Sequence, residues 1–292
     1  MQGNKRYQFL INMILVFVTL FMVLPIVLLF MSSITSENTL IVKGYSYFPS
    51  EFGLEGYRYI FNNSITIFRA YGYTIGITFF GTIASMLITM LMAFPLSLAK
   101  LPGRRIISFY VLFTMLYSGG LVPSYIMWTS TFHIKNTVFA YIFPGLLMSA
   151  MNVILMRTFF QNSIPESLYE AAEIDGAGYL AIFRMIVIPL SKPIIVTISM
   201  FSGLNYWNNW MNGLYYINDK KLYTIQVLLN NMIQNIQAMQ SSADAGMSGI
   251  GPIPSVSVRM AIAFVALFPV LVIYPFLQKY FESGIMLGAV KG

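Results

Sequence analysis

Apolar residues run along this chain in long blocks, separated by short clusters of charge. A helix needs about 20 apolar residues to cross the hydrocarbon core of a bilayer. Six blocks reach that length: about 9–32, following Lys5 and Arg6; 70–99, between Arg69 and Lys100; 106–132; 136–158; 186–210, with Lys192 near its start; and 260–280. The pattern predicts an all-α membrane protein with six transmembrane helices, forming one transmembrane domain over 1–292. The first block is about twice as long as the apolar core of a signal peptide. No small-x-small cleavage site follows it at Met31-Ser32-Ser33-Ile34, so it reads as a retained span.

Prolines fall inside the blocks at Pro25, Pro95, Pro123, Pro144, Pro189, Pro193, Pro269 and Pro275, and Gly119-Gly120 precedes Pro123. Each proline removes a backbone donor and can bend its helix. Such bends suit a protein that opens and closes, although membrane helices also tolerate proline more often than soluble ones. Gly72-x3-Gly76 and Gly81-x3-Ser85 put small residues on helix faces and allow close packing. Two long polar segments are expected on the outer side, about 34–68 and 211–258. The run from Ser241 to Pro252 is rich in Gly and Ser, has no periodicity, and reads as a mobile loop.

Composition settles the class. Hydrophobic residues make up 57% of the 292 and charged residues 9%, against about 25% charged in a soluble domain. Net charge is +7, which on a membrane chain reflects cationic cytoplasmic loops rather than a nucleic-acid surface. With both termini cytoplasmic, the inner segments hold ten Lys and Arg and the outer ones seven. There is no cysteine and a single histidine, His133. Disulfides and thiolate metal sites are excluded, and a His-rich metal site or a Ser-His-Asp triad is not expected. No catalytic group and no metal site are expected. The chain has no Gly-x4-Gly-Lys-Ser/Thr phosphate loop, so it is not its own ATP-driven motor.

The segment at about 162–184 stands apart. Ser163 and Glu166 have capping-box spacing, and Pro165 is acceptable in a first helical turn. Glu166 and Glu170 lie one turn apart with Glu173 near the same face; Leu168, Ala171, Ala172 and Asp175 line a neighbouring face. Gly176 supplies a turn, and a second helical pattern then runs from Tyr179 into Pro189. Four of the five inner acidic residues gather here. By itself the pattern fits either a solvated loop helix or a docking element with room at Ala171 and Ala172.

Glu170-Ala171-Ala172-x3-Gly176-x9-Ile186-x-Ile188-Pro189 resembles the EAA motif of ABC importer permeases, with Ile188 where Leu is usual. The tail Gly284–Gly292 is similar to that of MalG-type sugar permeases. Leu190-Ser191-Lys192-Pro193 and Asn205-Tyr206-Trp207-Asn208-Asn209-Trp210 resemble the subgroup that imports complex saccharides beside lipoprotein receptors. The likeness covers Lys5 to Gly292 and is strongest from Met156 onward. It implies a type I ABC importer permease fold in a bacterial cell membrane, and a translocation subunit rather than an enzyme. It implies a second homologous permease, an ATP-binding cassette ATPase dimer that carries ATP and Mg, an extracytoplasmic solute-binding lipoprotein, and an oligosaccharide cargo. It makes 162–184 the coupling loop, with Glu170, Ala171, Ala172 and Gly176 at the ATPase and Asp175 beside them. It sends Lys291 and Gly292 into the ATPase dimer and makes 241–252 a candidate for reaching the receptor.

Substrate-path candidates are Asn205, Trp207, Asn209 and Trp210 near the outer end of the fifth block, Tyr117 and Ser118 in the third, and Asn152 in the fourth. Aromatic faces and amides suit saccharides, and polar groups at membrane depth are costly unless used. Interfacial belting of the tryptophans and hydrogen bonds between helices compete with that reading. A permease for a non-sugar cargo is the main alternative. A secondary transporter would call for buried coupling charges that the blocks lack.

Overall fold

The computed structural model describes residues 5–62, 64–244 and 256–289. Helices run through nearly all of them: α1 Lys5–Ser33, α2 Glu37–Lys43, α3 Glu55–Asn62, α4 Ser64–Ser97, α5 Arg104–Leu116, α6 Leu121–Ile126 with a π turn Met127–Thr131, α7 Phe139–Ile142, α8 Ala150–Ser163, α9 Glu166–Ile174, α10 Tyr179–Ile182, a π turn Phe183–Val187, α11 Ile188–Leu190, α12 Lys192–Trp207, α13 Met211–Tyr216, α14 Ile225–Asp244 and α15 Val256–Ala289. Among the described residues the only strand-like pairing is an isolated bridge between Thr35 and Phe52.

Three helices there are long and apolar enough to cross a membrane alone: Tyr7–Ser33, Ser64–Ser97 and Val256–Ile273. The blocks expected at 106–132 and 186–210 are instead bent pairs. Arg104–Leu116 and Leu121–Thr131 meet at 110°, and Tyr179–Leu190 and Lys192–Trp207 meet at 82°. The first bend falls at Gly119-Gly120, where Gly120 takes φ +88°. The second falls at Ser191, just before Pro193. The block expected at 136–158 is not one helix either. It breaks between α7 and α8 at Pro144 and Gly145, which takes φ +72°, because proline lacks the donor and the left-handed glycine turns the chain.

The chain forms two contact units. One comprises 1–67 with 228–270, the other 68–227 with 271–292. In the first, Glu37 caps the start of α15: its two carboxylate oxygens accept from the N–H groups of Val256 and Ser257, both at 2.8 Å. A carboxylate suits the positive end of a helix dipole. Phe30 meets Phe264 with ring centroids 5.0 Å apart, and Tyr57 and Ser33 share a hydrogen bond of 2.9 Å.

The segments expected as long loops hold helices. Ser36 caps α2 through the Thr39 N–H, and α14 occupies 225–244 of the segment expected as a loop. Apolar residues at Ile225, Leu228, Leu229, Met232 and Ile233 carry that helix. Residues 241–244 lie within α14; residues 245–252 of the expected mobile loop lie outside the described residues.

In the second unit, apolar side chains gather at two levels of α4. One cluster joins Met86, Met90, Phe94 and Leu96 to Phe160, Ile164, Ile182 and Ile198. The other joins Ile77 to Ile134, Tyr141, Tyr206, Tyr216 and Val227. Ile77 and Leu96 are about 28 Å apart at ~1.5 Å per residue. The first of these clusters holds α9 in place through Tyr169, Ala172 and Ala177.

Candidate functional site

Helix α9 follows Pro165, which is its N-cap residue at φ −61° and ψ 138°. The capping box expected from Ser163 and Glu166 does not form. Ser163 instead closes α8, and no side chain caps α9. Proline at the N-cap fixes the extended backbone there and leaves Glu166 to meet the helix dipole in the first turn.

At the other end α9 stops on Gly176. Ala177 N–H donates to Ala172 O at 2.9 Å, and Gly176 N–H donates to Glu173 O at 3.1 Å. This pair of bonds is a Schellman motif. It needs a left-handed residue after the cap, and Gly176 has φ +78°. A Cβ there would touch nothing, so backbone conformation alone makes the position favour glycine. The apolar contact that accompanies the motif is made by Ala172 and Ala177, both packed on the core beneath.

The two alanines therefore differ. Ala171 is exposed, while Ala172 turns inward. The face of the loop away from the core carries Glu170, Ala171, Asp175 and Gly176, all exposed. Beside them stand Ile174 at 86% exposure and Leu180 at 75%. Both are large aliphatic side chains left exposed on a loop rich in carboxylates. Their contribution was not evident from spacing, since both also fit a helix packed on its own core.

Anchoring comes from the α4–α5 turn. Lys100 Nζ lies 3.4 Å from Glu173 Oε2. Gln161 donates to Ser97 O at 3.2 Å, and Arg104 Nε donates to Leu96 O at 3.0 Å. A cleft of about 230 Å³ opens between the two segments, lined by Lys100, Arg104, Gln161, Glu166, Glu170 and Tyr179. Tyr169 packs behind α9 against Phe94, with ring centroids 6.5 Å apart, and burial pushes its phenol above the ordinary tyrosine range. Apart from Arg104 and Leu96, these partners are more than 60 residues apart in sequence, too far for any local pattern to reveal.

The residues expected along a substrate path are scattered. Asn152 is 8% exposed and donates to Ser202 Oγ at 3.3 Å, tying α8 to α12. Asn209 donates to Tyr141 O at 3.4 Å and accepts from the Asn212 N–H at 3.1 Å. Asn212 in turn donates to Pro144 O at 2.9 Å, and Tyr206 to Ile142 O at 3.1 Å. These side chains satisfy carbonyls left free where the chain breaks after α7, as backbone at membrane depth requires. Trp207 is buried, while Asn205, Trp210, Tyr117 and Ser118 are exposed. Tyr117 stacks on Phe113 with centroids 5.3 Å apart. Lys291 and Gly292 lie outside the described residues. Among those described, no group of His, Cys, Asp and Glu could hold a metal ion.

Three long apolar helices, two bent pairs and a glycine-stopped helix with an exposed face together describe a membrane-embedded chain. The model of the family of binding-protein-dependent transport system inner membrane components matches residues 78–287, and the chain belongs to that family. It is 39% identical over 289 residues to the polygalacturonan/rhamnogalacturonan transport system permease protein YtcP of Bacillus subtilis (strain 168), covering 99% of both chains. It is 33% identical over 270 residues to protein LplC of the same organism, covering 92% of this chain and 90% of that one. A solved bacterial ABC transporter involved in the import of the acidic polysaccharide alginate contains a similar chain, with TM-score 0.79, 27% identity, and coverage of 96% and 98%. The fold is that of a type I ABC importer permease.

Proposed function

We propose that this chain is one of two related permease subunits of an ATP-driven importer of oligosaccharides. Both termini are cytoplasmic, and a solute-binding lipoprotein delivers the cargo from outside. ATP and Mg act on a separate ATPase dimer, which docks on α9. The observation that carries this reading is the exposed face of α9, where Ile174 and Leu180 flank Glu170, Ala171 and Asp175 around the stop at Gly176. An apolar pair in a rim of carboxylates fits a partner cleft with a basic edge. ATP-driven closure of the partner then moves α9, and the bend before α12 passes that movement into the membrane. The roles of the polygalacturonan/rhamnogalacturonan permease and the alginate transporter support an oligosaccharide cargo, with uronate-containing oligosaccharides the first to assay. Under this reading Lys291 and Gly292 are candidates for contact with the ATPase, and the segment 241–252 is a candidate for reaching the receptor.

The test is gentle purification of the tagged protein from its native membranes, with mass spectrometry of what accompanies it. An ATPase and a second permease are expected, and a Gly176→Pro variant should lose the ATPase while keeping the sister permease. Recovery of the chain alone, with uptake independent of ATP, would overturn the proposal.

A further inference from the structure

Arg157 carries a charge at the end of an apolar block with no opposite charge beside it. It lies in the second half of α8, half-buried, and its Nη1 donates to Ser108 Oγ of α5 at 3.3 Å. Its Nε is buried and has no hydrogen-bond partner. The charge of Arg104, the first residue of α5, is near enough to act on it. Among the described residues the one ion pair is Lys100 with Glu173, so neither arginine is paired with a carboxylate there. Two neighbouring guanidiniums at the ends of membrane helices are costly unless an anion joins them.

Arg259 is a useful contrast. Its Nε is also buried and unpaired, but the turn it projects from holds the carboxylate of Glu37 on the N–H groups of Val256 and Ser257. Arg157 has no such carboxylate on its own helix turn or on the Ser108 turn. Arg104 does line the cleft beneath α9 with Lys100, Glu166, Glu170 and Glu173, but Arg157 and Ser108 do not line it. Toward the membrane the surroundings are apolar. On the Ser108 face of α5, one and two turns further into the apolar block, Leu112 is 43% exposed and Met115 54%. Guanidiniums with exposed aliphatic side chains running away from them match a ligand with an anionic head and hydrocarbon chains. A soluble anion or an acidic protein surface would leave those side chains uncovered.

We propose that Arg157, Arg104 and Ser108 form a binding site for the phosphate of an anionic phospholipid, whose acyl chains lie along Leu112 and Met115. The planar fork of arginine matches phosphate oxygens, and basic pockets between membrane helices take such head groups. Placing the site in the inner leaflet rests on the importer reading above; the binding itself does not. The site has a structural consequence. α5 begins where the α4–α5 turn ends, and Lys100 ties that turn to α9. A lipid held by Arg104 and Arg157 therefore steadies the turn that anchors α9 at the membrane surface.

The test uses the assembled importer, purified in a neutral detergent and supplied with phosphatidylglycerol or phosphatidylcholine. Native mass spectrometry reads the lipid that this chain retains. Phosphatidylglycerol should be preferred by about tenfold or more, and Arg157→Gln should remove most of that preference, as loss of a hydrogen bond between charged groups predicts. Arg157→Lys keeps the charge without the fork, stands in if Arg157→Gln does not fold, and should lose part of the preference. Lys220→Gln removes an exposed cation elsewhere and should retain lipid as the unaltered chain does. In nanodiscs, phosphatidylglycerol should raise the melting temperature of the unaltered chain, and that of Arg157→Gln less, because a ligand of the folded state stabilises it.

Equal retention of the two lipids by the unaltered chain would overturn the proposal. Full preference kept by Arg157→Gln, or by Arg157→Lys in its place, would overturn it as well. If inorganic phosphate in phosphatidylcholine nanodiscs reproduces the gain in melting temperature, the site takes a soluble anion and the lipid assignment falls. If Arg157→Gln loses the ATPase while lipid retention is unchanged, the arginine serves a protein contact and the assignment falls again. Failure to recover an ATPase with the unaltered chain would sink the importer reading, while lipid retention by this chain still decides the site.

Discussion

Lys100 Nζ lies 3.4 Å from Glu173 Oε2 and joins the α4–α5 turn to the helix that ends on Gly176. Both side chains reach solvent, so water and salt screen the pair. Lys100→Ala should change stability by about 1 kcal/mol or less, with the difference shrinking as salt rises. Thermal melts of the purified complex at low and high ionic strength check this. A large loss that salt does not touch would mean that Lys100 does more than pair with Glu173.

Gly176 is set by its left-handed backbone and not by crowding. Gly176→Ala should cost about 1–2 kcal/mol locally, and Gly176→Asn less, because asparagine tolerates that conformation. The order glycine, asparagine, alanine in recovered ATPase on pull-down is the expected result. Equal recovery with asparagine and alanine would contradict it.

Gly81 answers to a different constraint. Its φ is ordinary, but a Cβ there would press on the Tyr206 ring. Gly81→Ala should destabilise by about 1–3 kcal/mol through overpacking. Gly81→Ala combined with Tyr206→Leu should recover part of that, at the expense of the Tyr206 bond to Ile142 O. Melting temperatures of the three variants in one detergent decide the matter.

Glu37 caps α15 from more than 200 residues away in the chain. Glu37→Ala should cost about 0.5–2 kcal/mol, the usual range for a lost cap. Hydrogen exchange gives a sharper reading, since the amides of Val256 and Ser257 should exchange faster while those in the middle of α4 do not change. Unchanged protection at 256 and 257 would remove Glu37 from that role.

Some of this was legible in the amino-acid order. The hydrophobic blocks placed α1, α4 and α15, because a run of about 20 apolar residues has one stable solution in a bilayer. The α9 loop was legible because its signal is local. A helix stop on glycine and the spacing from Glu170 to Pro189 are carried by consecutive residues. Ser163 misled because a capping box and an ordinary helix end share the same composition; the backbone after Pro165 decides between them.

The segments around α14 and the break at Pro144 were misread for a related reason. A polar helix looks like a loop when its stabilising contacts come from elsewhere, and a broken span looks continuous when distant Asn209, Asn212 and Tyr206 satisfy its freed carbonyls.

By itself, then, the sequence determined that this protein lives in a membrane, that it carries no Gly-x4-Gly-Lys-Ser/Thr loop, and that a helix stops on Gly176. Hydrophobic length and short-range turn chemistry act within a few residues and need no fold to be read. Only the tertiary structure decided that Ala171 faces outward and Ala172 inward. It alone showed that Lys100 meets Glu173, that Asn152 and Asn209 are tied to distant parts of the chain, and that Gly81 lies against the ring of Tyr206. Each of these depends on which helix lies beside which. That is set by packing summed over many distant contacts, and no local window of the chain contains it.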